Sequence, residues 1–223
     1  MTKKELVKRY TLFVISLFIS AFGVAFAKHG ELGVTPISSV PNVLCYICPA
    51  LSMGNWLIIW NCVMIIGQIL ILRKRFQLIQ LLQIPLSFLF GYFTDFGLWC
   101  VSFIPNQLYP VKMTLVFSGV IVLAFGIALS VIANVIMNSG EAFVKTLADA
   151  VHKSFGNVKI IFDISCVVLS IILSLIFFDF KIVGTREGTI ITAVCTGFVV
   201  KFFQKRLQVP VSRILLDNID YRR

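Results

Sequence analysis

The first apolar segment of the chain contains a five-residue pattern that returns in the second half. Residues 21–25 read Ala-Phe-Gly-Val-Ala, and residues 124–128, located 103 positions later, read Ala-Phe-Gly-Ile-Ala. Two later stretches match at nearly the same offset: residues 56–61 with 158–163, and residues 89–93 with 195–199. Internal similarity of this kind indicates a duplicated structural unit. Each half of the chain is therefore expected to fold in the same way.

The composition predicts a protein of the lipid bilayer. Of the 223 residues, 58% are hydrophobic and only 13% are charged, with a mean hydropathy of +0.95. A soluble domain of this size is much less apolar. A membrane helix needs about 20 mostly apolar residues. Six segments qualify, namely 10–27, 53–72, 77–95, 111–136, 158–178 and 187–204. The predicted fold is an all-α integral membrane domain with six transmembrane helices.

The number of spans in each repeat determines how the two halves are related. Repeat one covers about residues 10–95 and repeat two about residues 111–204, which leaves 205–223 as a cytoplasmic tail. Three spans per repeat is an odd number, so the second copy enters the membrane from the opposite side. We therefore expect two inverted 3+3 repeats related by a pseudo-two-fold axis in the membrane plane. Many secondary transporters are built in this way.

Lysine and arginine residues predict the orientation in the membrane. The net charge is +10, and a cytoplasmic N-terminus places most basic residues in cytoplasmic segments, as the positive-inside rule requires. The residues that fall outside are Lys28, Lys112, Lys181 and Arg186. Both termini are therefore expected on the cytoplasmic side of the inner (plasma) membrane. Because the basic clusters lie between apolar runs, they do not indicate a nucleic-acid-binding face.

Each repeat also contains a short segment after its first span. Pro36 follows Gly33-Val34-Thr35 and is well suited to the first position of a helix, and Asn138 to Glu141 open the corresponding stretch in repeat two. Segments 36–50 and 140–154 are too short and too mixed to cross a membrane. They either lie at the interface or fold back between the spans as re-entrant pieces, where protein or water shields the backbone. The sequence leaves both alternatives open.

Polar residues within the apolar segments are the candidates for a solute pathway. They cost free energy unless they face the helix bundle or water. An inverted-repeat transporter binds its solute near the bilayer midplane, where the two halves meet. The side chains predicted to reach this place are Asn61, Gln83, Asp163 and Thr189, joined by Glu31, Ser38, Ser39 and Glu141 if the short segments fold inward.

Two features of the short segments predict opposite charges for the ligand. Helix N-termini at Pro36 and Gly140 favour an anionic or carbonyl-bearing group. The nearby acids Glu31 and Glu141 favour a cation or a coupling proton. The sequence therefore leaves the ligand's charge open.

Two further acids are placed near helix ends. Asp163 lies one helical turn after Lys159, a spacing that suits an ion pair. Asp95 ends the predicted third span, where the helix macrodipole disfavours an anion. Small residues let membrane helices approach closely. Gly23 and Gly126 are accordingly predicted to face neighbouring helices.

Catalytic signatures are missing from the sequence. It contains no phosphate-binding loop, nucleophile elbow, zinc signature or pair of catalytic carboxylates. Cys45 and Cys48 have metal-like spacing but no second pair, so they are interpreted as small apolar residues. We expect no enzymatic activity, no cofactor and no metal. The expected partners are the lipid bilayer, a small solute, and either a second copy of the chain or an energising subunit.

Several short motifs resemble a known family. They are Glu-Leu-Gly-Val-Thr-Pro at 31–36, Leu-Gln-Ile-Pro at 82–85, Phe-Gly-Tyr-Phe-Thr-Asp at 90–95 and Arg-Glu-Gly-Thr at 186–189. Together they resemble the YczE/YyaS/YitT-like family of bacterial integral membrane proteins. The resemblance implies a multi-span inner-membrane protein of the transporter type and names no substrate. The first functional hypothesis is thus a small-solute secondary transporter that works by alternating access.

Two other functions stay open. Six spans and the Ala21-x-x-x-Ala25 spacing resemble the membrane-embedded vitamin-binding components of energy-coupling-factor importers, which capture a substrate for an energising partner. The third hypothesis is a membrane scaffold or regulator without a substrate. An inverted repeat favours the transporter. Ligand binding without transport favours the capturing subunit, and a dry, fully packed bundle favours the scaffold or regulator.

Overall fold

The computed structural model describes residues 3–215, and all regular structure in this range is helical. The helices are α1 (Lys3–His29), α2 (Pro36–Ile47), α3 (Met53–Leu72), α4 (Gln83–Val101), α5 (Tyr109–Ala133), α6 (Ser139–Ala150), α7 (Phe155–Phe177) and α8 (Glu187–Leu215). Two short 3-10 turns, Arg73–Arg75 and Leu78–Leu82, connect α3 to α4. The predicted all-α class is confirmed.

Five helical segments within the described residues are long and apolar enough to cross a membrane. They are Lys3–His29, Met53–Arg75, Leu78–Val101, Tyr109–Ala133 and Phe155–Phe177, and they coincide with five of the six predicted spans. The remaining long helix, α8, has 29 residues, and Lys201, Lys205 and Arg206 interrupt its apolar run. It extends through residues 205–215, so this part of the predicted tail is helical. The described chain has the helices of a multi-pass membrane protein.

The third predicted span ends later than the sequence indicated. α4 continues six residues beyond Asp95, to Val101, because the apolar run resumes at Phe96. Asp95 accepts hydrogen bonds from Ser52 Oγ (2.5 Å) and the Gly54 N–H (2.8 Å) at the start of α3. The macrodipole of α3 favours an anion there. The prediction that Asp95 ends its own helix is therefore wrong, and Asp95 instead caps a neighbouring one.

We expect the Asp95→Ala variant to be less stable than the wild type by about 1–2 kcal/mol, because the first turn of α3 loses its charged cap. Asp95→Asn should lose less, since it keeps one acceptor oxygen. Thermal unfolding of the three proteins in one detergent measures the difference. Equal melting of the wild type and the Ala variant would contradict the capping role.

The centre of the bundle is formed by α1 and α5, which run antiparallel. The carbonyl group of Lys112, near the start of α5, lies against Gly30, just after the end of α1. Near the start of α1, Arg9 Nη1 donates a hydrogen bond to the carbonyl oxygen of Ala133 at the end of α5 (2.9 Å). The two helices therefore contact each other along most of their lengths.

Glycines bring the backbones of α1 and α5 together. A Cβ atom added at Gly23 would lie 2.6 Å from the Cα atom of Leu123, and one added at Gly126 would lie 2.7 Å from the backbone nitrogen of Ser20. Real Cβ atoms essentially never come that close. Only a residue without a side chain fits at either position, as the general rule for close membrane-helix contacts requires.

The other helices surround this pair in a matching arrangement. α4 packs on α1 and α8 packs on α5, while α2 contacts α3 and α7, and α6 contacts α7 and α3. Seven of the twelve residues of α2 are buried, which places this short helix inside the bundle. The two halves of the chain differ in one contact. In the first half α3 packs closely on α4, whereas in the second half no comparable contact joins α7 to α8.

Candidate functional site

A cavity of about 450 Å³ lies between helices from both halves of the chain. This volume falls within the usual range of small-molecule sites. Most of the wall is apolar, and its lining residues include Phe13, Leu17, Leu57, Phe90 and Leu123. The polar groups of the wall are fewer and come mainly from α2, α3, α6, α7 and α8.

The first turns of the two short helices meet at this cavity. A Cβ atom added at Gly140 in α6 would lie 3.2 Å from Ile37 Cδ1 in α2, and these two positions are 103 residues apart, the offset of the duplication. Thr35 precedes α2 without capping it, because its hydroxyl donates to Ser38 Oγ (3.0 Å) instead. The first N–H groups of a helix have no partner within the helix. Within residues 3–215, no side chain caps those of α2, so they can donate to a bound molecule.

Four of the predicted binding residues line the cavity. Each half of the chain contributes one residue from its short helix and one from the long helix that follows. The four residues are Ser38, Asn61, Glu141 and Asp163. Asn61 and Asp163 occupy matching positions of two similar stretches of the sequence, 102 residues apart, and Ser38 and Glu141 are 103 residues apart.

The two aligned residues, Asn61 and Asp163, have different surroundings. Asn61 is only 5% exposed, and its side-chain amide makes no hydrogen bond to any residue between 3 and 215. Asp163 accepts a hydrogen bond from Lys159 Nζ at 2.6 Å, one helical turn earlier. The charge of Asp163 is therefore already compensated, whereas Asn61 retains free donor and acceptor groups.

Glu141 carries a charge that the cavity does not neutralise. It is the third residue of α6, and within the described chain its carboxylate makes no hydrogen bond and no ion pair. Burial raises the pKa of Glu141 above its ordinary value, Lys159 opposes this change, and Asp163 adds to it. The ionised form of Glu141 is thus unfavourable unless a cation accompanies it.

Four predicted residues lie outside the cavity wall. Gln83 forms a reciprocal amide pair with Gln68, at 3.1 and 3.2 Å. Thr189 is 1% exposed at the start of α8, and Glu31 pairs with Lys112 at the surface (2.6 Å). Ser39, another predicted residue, is also outside the wall and donates a hydrogen bond to the carbonyl oxygen of Pro36 (2.6 Å). The sequence indicates how far along its segment each of these residues lies, but not the direction in which its side chain points.

The cavity also contains polar groups that were not among the predicted site residues. The indole N–H of Trp60 and the hydroxyl of Thr196 are buried and have no hydrogen-bond partner in the described part of the chain. Thr196 continues the helical spacing of Thr189 and Thr192 on α8, and this spacing is the signal that identifies it. Trp60 has no comparable signal, because an indole is read as apolar in a hydrophobic run.

One end of the cavity is closed by contacts between the two halves. The N–H of Gly188 donates to the carbonyl oxygen of Leu32 (2.8 Å), and Thr192 Oγ1 donates to the carbonyl oxygen of Val34 (3.1 Å). Lys201, nine residues after Thr192 along α8, lines the other end and is exposed. The cavity is thus sealed on the side of the α1–α2 connection.

Fold and site together define a helical protein of the multi-pass membrane type with a solute-sized internal cavity. The chain belongs to the family described as Family of unknown function (DUF6198), whose sequence model matches residues 7–205. No curated protein and no solved structure matches the chain. The family match does not link the chain to the YczE/YyaS/YitT-like family, so that resemblance stays an expectation.

Proposed function

We propose that the protein is a small-solute secondary transporter in which two inverted three-span repeats give alternating access to the central cavity. The observation that carries this proposal is a cavity lined by corresponding elements of both halves that contains unpartnered polar groups, above all Asn61 and Glu141. Buried polar groups without partners cost free energy. Within a membrane such groups indicate a functional site.

The helix contacts support the inverted repeat. If α1–α4 are exchanged for α5–α8, the contact of α1 with α4 becomes that of α5 with α8, and the contact of α2 with α7 becomes that of α6 with α3. The antiparallel course of α1 and α5 is what two oppositely inserted repeats require. The contacts of Gly23 with Leu123 and of Gly126 with Ser20 also exchange, because Leu123 is the equivalent of Ser20.

The sixth span of this proposal is the N-terminal part of α8. Its large apolar side chains Ile190, Val194 and Phe198 are 68%, 57% and 72% exposed and lie on one helical face. Thr192 and Thr196 line the cavity on another face. This distribution suits a helix with lipid on one side and a polar site on the other.

The distribution of basic residues suggests which side of the membrane is closed. With both termini in the cytoplasm, the seal formed by Leu32 and Gly188 lies on the outer side. The structure then corresponds to a state whose cavity exchanges solute with the cytoplasm. An outward-facing state requires the Leu32–Gly188 and Val34–Thr192 hydrogen bonds to break.

A thermal-shift screen of metabolites on the purified protein tests the proposal, because a ligand that binds the folded state raises its apparent stability. We expect Asn61→Ala to weaken binding of the identified solute at least about tenfold, which corresponds to about 1.4 kcal/mol. The matched control is Ser165→Ala, since Ser165 is exposed on α7 and bonds only to its own helix. Its affinity should equal that of the wild type.

Uptake into proteoliposomes then separates the three functional hypotheses. Accumulation of the solute that Asn61→Ala abolishes supports a transporter. High-affinity binding without uptake supports a capturing subunit that needs an energising partner. A protein that binds nothing, with wild-type stability in Asn61→Leu, would indicate a packed scaffold and contradict the proposal.

A further inference from the structure

The charged groups around the cavity leave one negative charge unpaired. Lys159 Nζ lies 2.6 Å from Asp163 Oδ1, so these two charges compensate each other. Lys201 is exposed at the end opposite to the seal. Glu141 has neither an ion pair nor a hydrogen bond within residues 3–215. A carboxylate in such a place is stable only when it is protonated or when a cation lies beside it.

The elements packed against α6 supply one cation, Lys159, and the charge of Asp163 already compensates it. Neither α3 nor the first turn of α2, which touches Gly140, contains a charged residue. The charged side chains that α7 contributes to the cavity are Lys159 and Asp163. On α6 itself, Lys145 lies one turn after Glu141 but is exposed and does not pair with it. The missing positive charge is therefore one that a bound molecule would bring.

The rest of the wall indicates what this molecule carries besides its charge. Beyond Glu141 the cavity is mainly aliphatic and aromatic, through Leu57, Phe90 and Leu123. Apolar surface is removed from water when such a pocket is filled by an apolar group. Asn61 offers a free amide oxygen as an additional acceptor for an N–H donor.

From this arrangement we infer that the solute is an organic amine with an apolar body, whose protonated amino group binds Glu141 in exchange for a proton. The inference rests on the transporter function proposed above and specifies its substrate class. In this step the O–H bond of the Glu141 carboxyl group breaks and a new O–H bond forms on water, while no bond of the amine changes. The proton leaves the carboxyl group of Glu141 for water, and the ammonium group takes its place, so the net charge of the cavity stays the same.

The exchange predicts a definite dependence on pH. An amine with a pKa of about 10 stays protonated at pH 5–8, whereas Glu141 binds a proton as the pH falls. Because amine and proton compete for one carboxylate, the affinity should rise about tenfold per pH unit below the pKa of Glu141 and level off above it. Each bound amine should release one proton in the rising part of this curve.

Calorimetric titration of the full-length protein with defined probes tests the inference. The probes are 2-phenylethylamine, the zwitterion phenylalanine, the neutral 2-phenylethanol and the anion 3-phenylpropionate. At least one of the two amines should bind ten times or more tightly than the alcohol and the anion. Tighter binding of phenylalanine would indicate an amino acid held through its carboxylate at the start of α2, and tighter binding of phenylethylamine a simple amine. Either order supports the inference.

Two variants complete the test. Glu141→Gln should lower amine affinity at least tenfold and abolish its pH dependence, and it should melt no lower than the wild type because it removes an unpaired charge. Asp149→Asn changes an exposed acid of the same helix and should behave as the wild type. Unchanged affinity in Glu141→Gln, equal binding of the alcohol, or no binding of either amine at any pH would overturn the inference. The metabolite screen can still identify another solute whose binding requires Asn61. In that case the transporter proposal stands, and only the inference of an amine substrate fails.

Discussion

The Gly23→Leu variant is expected to lose most of its folded population in detergent, with a destabilisation of about 3 kcal/mol or more. The atoms that a new side chain would meet are the backbone atoms of Leu123, and a backbone cannot rotate away as a flexible side chain can. The antiparallel helices α1 and α5 would have to separate along the centre of the bundle. Thermal unfolding, followed by tryptophan fluorescence and size-exclusion chromatography, measures the loss.

The same substitution in the second half of the chain should have a matching effect. Gly126 faces the backbone of Ser20, so Gly126→Leu disrupts the equivalent contact seen from the other helix. Gly156→Ala provides the control, because a Cβ atom there has no neighbour within 4 Å, and it should be neutral or stabilising by up to about 1 kcal/mol. A Gly23→Leu protein that melts like the wild type would refute the close contact. A large loss of stability in Gly23→Leu with none in Gly126→Leu would count against the proposed symmetry of the two halves.

The Gln68→Leu variant should be destabilised by about 2–3 kcal/mol, because it leaves two buried polar groups without a partner. Gln68 is completely buried. Its Nε2 donates both to Gln83 Oε1 (3.1 Å) and to the carbonyl oxygen of Ser139 (3.2 Å). The side chain thus joins α3 to α4 and to the first turn of α6, and its loss affects all three helices.

A double-mutant cycle distinguishes this pairing from simple packing. Gln68→Leu with Gln83→Leu removes both partners of the amide pair, so the double variant should be more stable than the sum of the single effects predicts. Gln77→Leu is the control, since Gln77 is exposed in the α3–α4 connection and should change stability by less than about 0.5 kcal/mol. Strictly additive effects of the two substitutions would show that the amides do not interact.

The long helices could be predicted from the sequence because each is an uninterrupted apolar run. The predicted end of a helix is too early where aromatic residues extend such a run, as at Trp99, which is part of α4 but lies beyond the predicted span 77–95. Hydropathy also gives no information about which residues form hydrogen bonds with one another. The contact of Asp95 with Ser52 and Gly54 joins residues more than forty positions apart, and only packing reveals it.

The candidate site was predictable where the duplication itself supplied the information. Asn61 and Asp163 stood out because both repeats place a polar residue at the same depth, and both line the cavity. Gln83 is predicted because it is a polar residue within an apolar segment, but its amide is directed to Gln68 instead. The rotation of a helix about its axis depends on its neighbours, so a single sequence does not determine it. The pairing of Lys159 with Asp163 is different, because its one-turn spacing is local.

The antiparallel contact of α1 and α5 sets the order of assembly during synthesis. Leu123 leaves the ribosome 100 residues after Gly23, which takes roughly 5–20 s at typical translation rates. Throughout this interval the glycine face of α1 has only lipid or the insertion machinery to contact. The first half of the chain is therefore an incomplete folding unit, and cotranslational folding of the central helix pair begins only once α5 has entered the membrane.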